Sequence, residues 1–254
     1  MRRRSIVLAI ASLGAMTLTS GTVIPTGRFA PHVLTLGAES HRYAVWIPPG
    51  YDSTRAWPCI VALHGSGECG DDGEKPTRIG LGPELVAHPE RWPFVVLFPQ
   101  KPREEEEWEE REDVVLAALD SVRSAYAIDS SRIALTGMSQ GGHGAWYLGA
   151  RHPAIWSCLV PVCGYGRARS VAPRVMSLPV WAFHGLRDDL VNPEDTRLIV
   201  AEIRARRARL GAPPADSVRA RMTLFPDANH DAWDPAYSDP ELPRWILAQR
   251  RSPR

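Results

Sequence analysis

Apolar residues in this chain gather into short unbroken runs separated by glycine, proline and charge. Trp57 to Leu63 reads Trp-Pro-Cys-Ile-Val-Ala-Leu without a polar interruption, the pattern of a strand covered on both faces. Arg91 to Pro99, Trp156 to Cys163 and Leu178 to His184 repeat the theme, and Ala220 to Phe225 reads as a last strand. His41 to Ile47 alternates polar with apolar and stops at a double proline, as a half-buried strand does. Residues 21 to 32 have no such pattern and read as an irregular lead-in. Between the runs the period changes. Val114, Val115, Ala118, Leu119, Val122, Ala125 and Tyr126 recur at helical spacing and make one buried stripe. Pro193 to Leu210 predicts an amphipathic helix with an arginine-rich outer face, and Asp239 to Arg250 a closing helix. Strands alternating with helices imply a parallel sheet wrapped on both sides, hence an α/β fold. With 254 residues and no repeat or linker, one large core is expected.

The densest stretch is Ser131 to Gly142, where the run Ile133-Ala134-Leu135 leads into Gly137-Met138-Ser139-Gln140-Gly141. A Gly-x-Ser-x-Gly turn between strand and helix is a nucleophile elbow, which leaves the serine hydroxyl exposed above the sheet. The glycines are needed where backbones approach too closely for a Cβ. A serine hydroxyl becomes a useful nucleophile only when a base takes its proton and a third group fixes that base. Later strands supply both in order: Asp188 after His184, with Asp189 its nearest rival, then His230 after Phe225. A tetrahedral intermediate also needs two donors, and the backbone N–H groups of Ser66 and Gln140 are placed to give them. His143 should point away from the site, while His64 and His184, each beside a glycine, read as packing or loop-anchoring residues. Trp108 and Trp233 are expected as aromatic walls near the site, packing under His230 being the other reading of Trp233.

These pieces resemble an α/β-hydrolase of the carboxylesterase/phospholipase and feruloyl-esterase-like group, also labelled prolyl-oligopeptidase-like. The matching segments are Leu63 to Glu68, Phe98 to Gln100, Thr136 to Gly142, Val162 to Gly164, Phe183 to Gly185 with Asp188, and Asn229 to Trp233. They span residues 43 to 250 and are far more specific for the fold than for a substrate. The resemblance implies a Ser139, Asp188 and His230 triad, with Ser66 and Gln140 as oxyanion donors. One departure is Asn192, which separates Val191 from Pro193 where such sequences often have Val-Pro directly.

Composition narrows partners more than it identifies them. A formal charge of +1 gives no reason to expect nucleic acid. Metal-ligand spacing and a phosphate-cradling loop are both missing from the sequence, so no metal or cofactor is expected. Arg2-Arg3-Arg4 followed by an apolar stretch to Ser20 reads as a secretory signal over residues 1–21. It is too short and too rich in Ser and Thr for a membrane span. Residues 22–254 are then one secreted or periplasmic catalytic domain, with no obligate protein partner implied. Cys158 and Cys163 on one strand would lie roughly 16 Å apart, too far to bridge. Cys69 with Cys163 is geometrically open, but free buried thiols are the reading for all four cysteines.

Only about fifteen residues, Gly164 to Ser177, separate the strand ending near Cys163 from the next. That is too few for a lid domain, and an open site admits bulky substrates from solvent. The expected reaction is hydrolysis of esters of short or aromatic acids, on a small molecule or a polymer. A serine peptidase and a non-catalytic carbohydrate-binding protein on the same fold are the alternatives.

Overall fold

Each apolar run becomes a strand of one sheet. The computed structural model describes residues 26–211 and 219–251, so the stretch read as an export signal lies outside the described residues. The strands are β1 (Arg28–Leu36), β2 (Glu39–Ile47), β3 (Trp57–Leu63), β4 (Val95–Pro99), β5 (Ile128–Met138), β6 (Cys158–Val162), β7 (Val180–Gly185) and β8 (Ala220–Phe225). They lie in the order β1-β2-β4-β3-β5-β6-β7-β8. The pairs β1–β2 and β2–β4 are antiparallel, and every later pair is parallel.

Of the lead-in read as irregular, residues 28–32 instead form the first part of β1, which pairs with β2 from Arg28 opposite Ile47 to Leu36 opposite Glu39. Among the described strands it pairs with β2 alone, so just Ala30 and Leu34 of β1 are buried and the alternation is too sparse to read. Pro31 is tolerated because an edge strand can lack a ladder donor.

Helices α1 (Leu81–Ala87), α2 (Glu112–Ala125), α3 (Gln140–Arg151), α4 (Ala168–Val175), α5 (Pro193–Arg209), α6 (Trp233–Ser238) and α7 (Glu241–Ala248) cover both faces. Apolar residues of α2, α3, α4 and α5 share one core, among them Leu119, Trp146, Val171 and Ile199. Those of α1, α6 and α7 share the other, including Leu85, Tyr237 and Trp245. The single closing helix expected from Asp239 begins at Glu241, with α6 as a separate turn before it. Asn192, the departure noted above, caps α5 by accepting from the N–H of Glu194 at 3.0 Å. Cys59, Cys158 and Cys163 are buried and Cys69 half-buried, all as free thiols, so the Cys69–Cys163 bridge does not form.

The carboxyl edge of the sheet is held by backbone contact. A Cβ on Gly141 would lie 2.1 Å from the Leu63 carbonyl, and one on Gly142 2.4 Å from that of Val162. Helix α3 can therefore wedge between the ends of β3 and β6 only through glycines. Just beyond β3, His64 is buried as expected, with Nδ1–H donating to Gly65 O at 2.5 Å and Nε2 accepting from Lys101 N at 3.1 Å. Both nitrogens are committed to the neutral ring, and burial pushes its pKa down to about 3.

Gly141→Ala should cost about 3 kcal/mol by overpacking, read as a lower urea midpoint. His64 binds a proton in the unfolded chain below its ordinary 6.5 and in the folded chain only near 3. Its contribution to stability is then complete above pH 6.5 and lost as the pH falls toward 3. Urea titrations across that window should show a shallower pH slope for His64→Asn than for the wild type.

Candidate active site

Strand β5 ends at Met138, and the chain turns so sharply into α3 that Ser139 sits at φ 54°. A non-glycine residue there stores ~1–3 kcal/mol of strain. The turn is held by Ser139 N–H donating to Val162 O at 2.9 Å and His143 N–H donating to Ser139 O at 3.0 Å. A Cβ on Gly137 would meet Gly141 O at 2.2 Å, which accounts for the glycines flanking the elbow.

The loops after β7 and β8 carry the other two groups, and they are pressed together: a Cβ on Gly185 would lie 2.1 Å from Asn229 O. His230 Nε2 is 2.8 Å from Ser139 Oγ, and its Nδ1 is 2.8 Å from Asp188 Oδ2. Asp188 accepts only, so Nδ1 carries the proton and Nε2 offers its lone pair to the serine hydroxyl. The second carboxylate oxygen accepts from the N–H of Leu190 at 3.0 Å and of Val191 at 2.8 Å. Burial alone would raise the Asp188 pKa, but the Val191 N–H, His230 and the Leu190 N–H outweigh it and hold the carboxyl below its ordinary value. Asp189, the rival acid, is exposed and takes no part in this relay. Ser139 and His230 are half-buried, so a reactant can reach the hydroxyl.

Two helix starts face the serine. Gln140 opens α3 and Ser66 opens a short helical turn, Ser66–Glu68, and the first N–H groups of such elements have no partner within the helix. A Cβ on Gly65 would lie 3.4 Å from Ser139 Cβ, which puts the Gly65–Ser66 turn against the serine. Glu68 braces that turn by accepting from Gly65 N–H at 3.0 Å, and Gln100 holds it from below by donating to Glu68 O at 2.9 Å.

Trp108 does not form a wall. It is fully buried, and its indole N–H donates to His64 O at 3.0 Å, so it supports the Gly65–Ser66 turn from inside the core. Trp233, the first residue of α6, lies edge-on to His230 at 5.4 Å and is partly buried against the core shared by α1, α6 and α7, packing beside the imidazole. His143 is turned away from Ser139, with its ring nitrogens on Tyr165 O at 3.1 Å and Glu109 Oε2 at 2.9 Å. His184 is more than a packing residue, because its Nε2 lies 3.1 Å from Asp188 Oδ2. The His-x-x-x-Asp spacing at the end of β7 is the one sequence sign of that contact. Among the described residues, Glu107, Glu109 and His143 bring potential metal-ligand atoms within 4.8 Å, as do Cys163, Asp188 and His230. The first group is already an ion pair and the second overlaps the relay.

No family model matches the chain, and no curated protein matches it either. Solved structures do. A thermostable esterase superposes with a TM-score of 0.70 at 26% identity, over 88% of this chain and 63% of that one. The chain thus spans less than two thirds of that esterase's length. A feruloyl esterase module from Clostridium thermocellum complexed with sinapinate gives 0.71 at 16% identity, over 91% of each chain. An acylaminoacyl peptidase gives 0.65 at 11% identity, over 90% of this chain and 43% of that one. The chain therefore has the α/β-hydrolase fold, in company with esterases, feruloyl esterases and other serine hydrolases, peptidases among them.

Proposed function

We propose that this protein is a serine hydrolase that cleaves carboxylic esters of short-chain or aromatic acids through an acyl-enzyme. The observation that carries the proposal is the unbroken relay from Ser139 Oγ through His230 to Asp188, with 2.8 Å at each step. As Ser139 Oγ attacks the carbonyl carbon, its proton passes to His230 Nε2 and the carbonyl electron pair moves onto oxygen. The N–H groups of Ser66 and Gln140 receive that oxyanion, and each such donor is worth roughly 10²–10³ in rate. Asp188 stabilises the imidazolium through Nδ1–H. When the tetrahedral adduct collapses, His230 returns its proton to the departing alkoxide and the acyl group stays on Ser139. Water then repeats the sequence, with His230 as base, and frees the acid.

Substrate class follows from what covers the site. Between β6 and β7 the chain adds only α4 and its flanking loops, too little for a closed apolar tunnel around a long acyl chain. A small-molecule or polymer-attached ester can approach from solvent. A peptidase reading uses the same relay and draws on the likeness to the acylaminoacyl peptidase. Residues 1–21, read as an export signal, would place the enzyme outside the cytoplasm.

Acetate, butyrate and methyl ferulate esters should be turned over, laurate poorly, and peptidyl amides not at all. Ser139→Ala should lower kcat by at least roughly 10⁴-fold. A panel of these substrates on wild type and variant checks both statements. Preference for amides would favour the peptidase, and absence of fluorophosphonate labelling at Ser139 would refute the hydrolase.

A further inference from the structure

The oxygen of Asp188 that serves His230 has a second imidazole against it. His184 ends β7 and is completely buried. Its Nε2 is 3.1 Å from Asp188 Oδ2 and 3.1 Å from the Val191 carbonyl. Both of these are acceptors, so Nε2 carries a hydrogen, directed at the carbonyl and adding a dipole contact to the carboxylate. On the other side, Nδ1 is 2.8 Å from Thr196 Oγ1, a hydroxyl that also lies 3.2 Å from Gly164 O. Burial keeps the ring below its ordinary pKa despite the Val191 carbonyl and Asp188. The Thr196 hydroxyl thus lies between Nδ1 and the Gly164 carbonyl and holds the ring against α5.

The main chain ties Asp188 N–H to Gly185 O at 3.4 Å, but apart from His230 the other contacts to the carboxylate do not reach the sheet. Leu190 N–H and Val191 N–H belong to the loop that carries Asp188, so they fix the carboxylate within its loop and not to the sheet. His184 stands on the sheet, reaches that loop through Val191 O and Asp188, and is itself tied to α5 through Thr196. We propose that His184 is a positioning residue for the relay: its Nε2–H anchors the acid loop to β7 and draws charge from the oxygen that His230 uses. This rests on the serine-hydrolase reading for its consequence in catalysis, and on geometry alone for its effect on His230.

The sign follows from the chemistry. A carboxylate relieved of that N–H dipole is a stronger partner for the imidazolium, so losing His184 Nε2–H favours the protonated form of His230. The titratable groups around the pair are Asp188 from the β7 loop, His230 and Asp231 from the β8 loop, and Cys163 from the end of β6. Helix α5 contributes only the Thr196 hydroxyl. Burial pushes the Cys163 thiol up to about 12, so it stays uncharged through the range in question.

Two amides of similar polarity separate position from bulk. The side-chain nitrogen of Gln reaches the place of Nε2, whereas that of Asn reaches only the place of Nδ1. The test compares His184→Asn and His184→Gln in the full chain by NMR titration of the His230 ring and by the pH profile of kcat/KM. For His184→Asn, the His230 midpoint and the acid limb should move up by about half a pH unit. Its kcat should fall roughly tenfold near neutrality with KM unchanged. His184→Gln should restore both. An unmoved His230 midpoint in His184→Asn overturns the proposal, as does a shift that His184→Gln fails to restore. The His230 titration needs no turnover, so it decides this point even for a protein that cleaves no ester, a failure that would sink only the hydrolase reading.

Discussion

Everything at the carboxyl edge of this sheet depends on backbones touching where side chains cannot fit. Gly141 lies against the end of β3, Gly142 against the end of β6, and Gly185 against the loop after β8. Each contact removes a degree of freedom from one of the three groups in the relay. The elbow is pinned between β3 and β6 by α3, which fixes the direction of Ser139 Oγ. The Gly185–Asn229 approach clamps the acid loop to the base loop, which sets the distance between Asp188 and His230. Catalytic geometry tolerates little error, since displacements of an ångström cost orders of magnitude in rate. The precision here comes from main-chain atoms, which are stiffer than rotamers. The strain at Ser139 persists for the same reason, because the surrounding contacts over-determine the turn.

The polar groups beneath that edge are assigned as tightly as the glycines. His64, Trp108, Glu68 and Gln100 form a chain of donors and acceptors under the Gly65–Ser66 turn, each with a committed partner. Leaving any of them unpaired in the interior would cost about 1–3 kcal/mol. The turn that faces the serine is consequently a rigid shelf, suited to receiving charge without reorganising.

Much of this was legible in the chain. Continuous apolar runs identified β3, β4, β6 and β7, whose residues are buried throughout, whereas β8, with Arg221 and Thr223 in a half-buried edge strand, was placed by its position before the histidine loop. Ser139, Asp188 and His230 could be placed because each follows such a run in a fixed order. β1 was illegible because an edge strand with one neighbour buries only Ala30 and Leu34. The role of Trp108 was misjudged for a different reason. Sequence shows that an indole is near the site in the chain, but not that its N–H is consumed by the His64 carbonyl and its ring by the core. The contact between His184 and Asp188 depends on how tightly the loop after β7 curls back, which the His-x-x-x-Asp spacing permits but does not determine.

The four unbridged thiols carry a consequence for where such a chain can mature. Burial holds the thiols of Cys59, Cys158 and Cys163 protonated, each pushed up to about 12, and Cys69 is paired with the Lys101 ammonium at 3.3 Å. None of the sheet, the elbow or the clamped loops waits on an oxidant. The same architecture can assemble in a reducing or an oxidising compartment, so the covalent framework carries no imprint of where the chain folds.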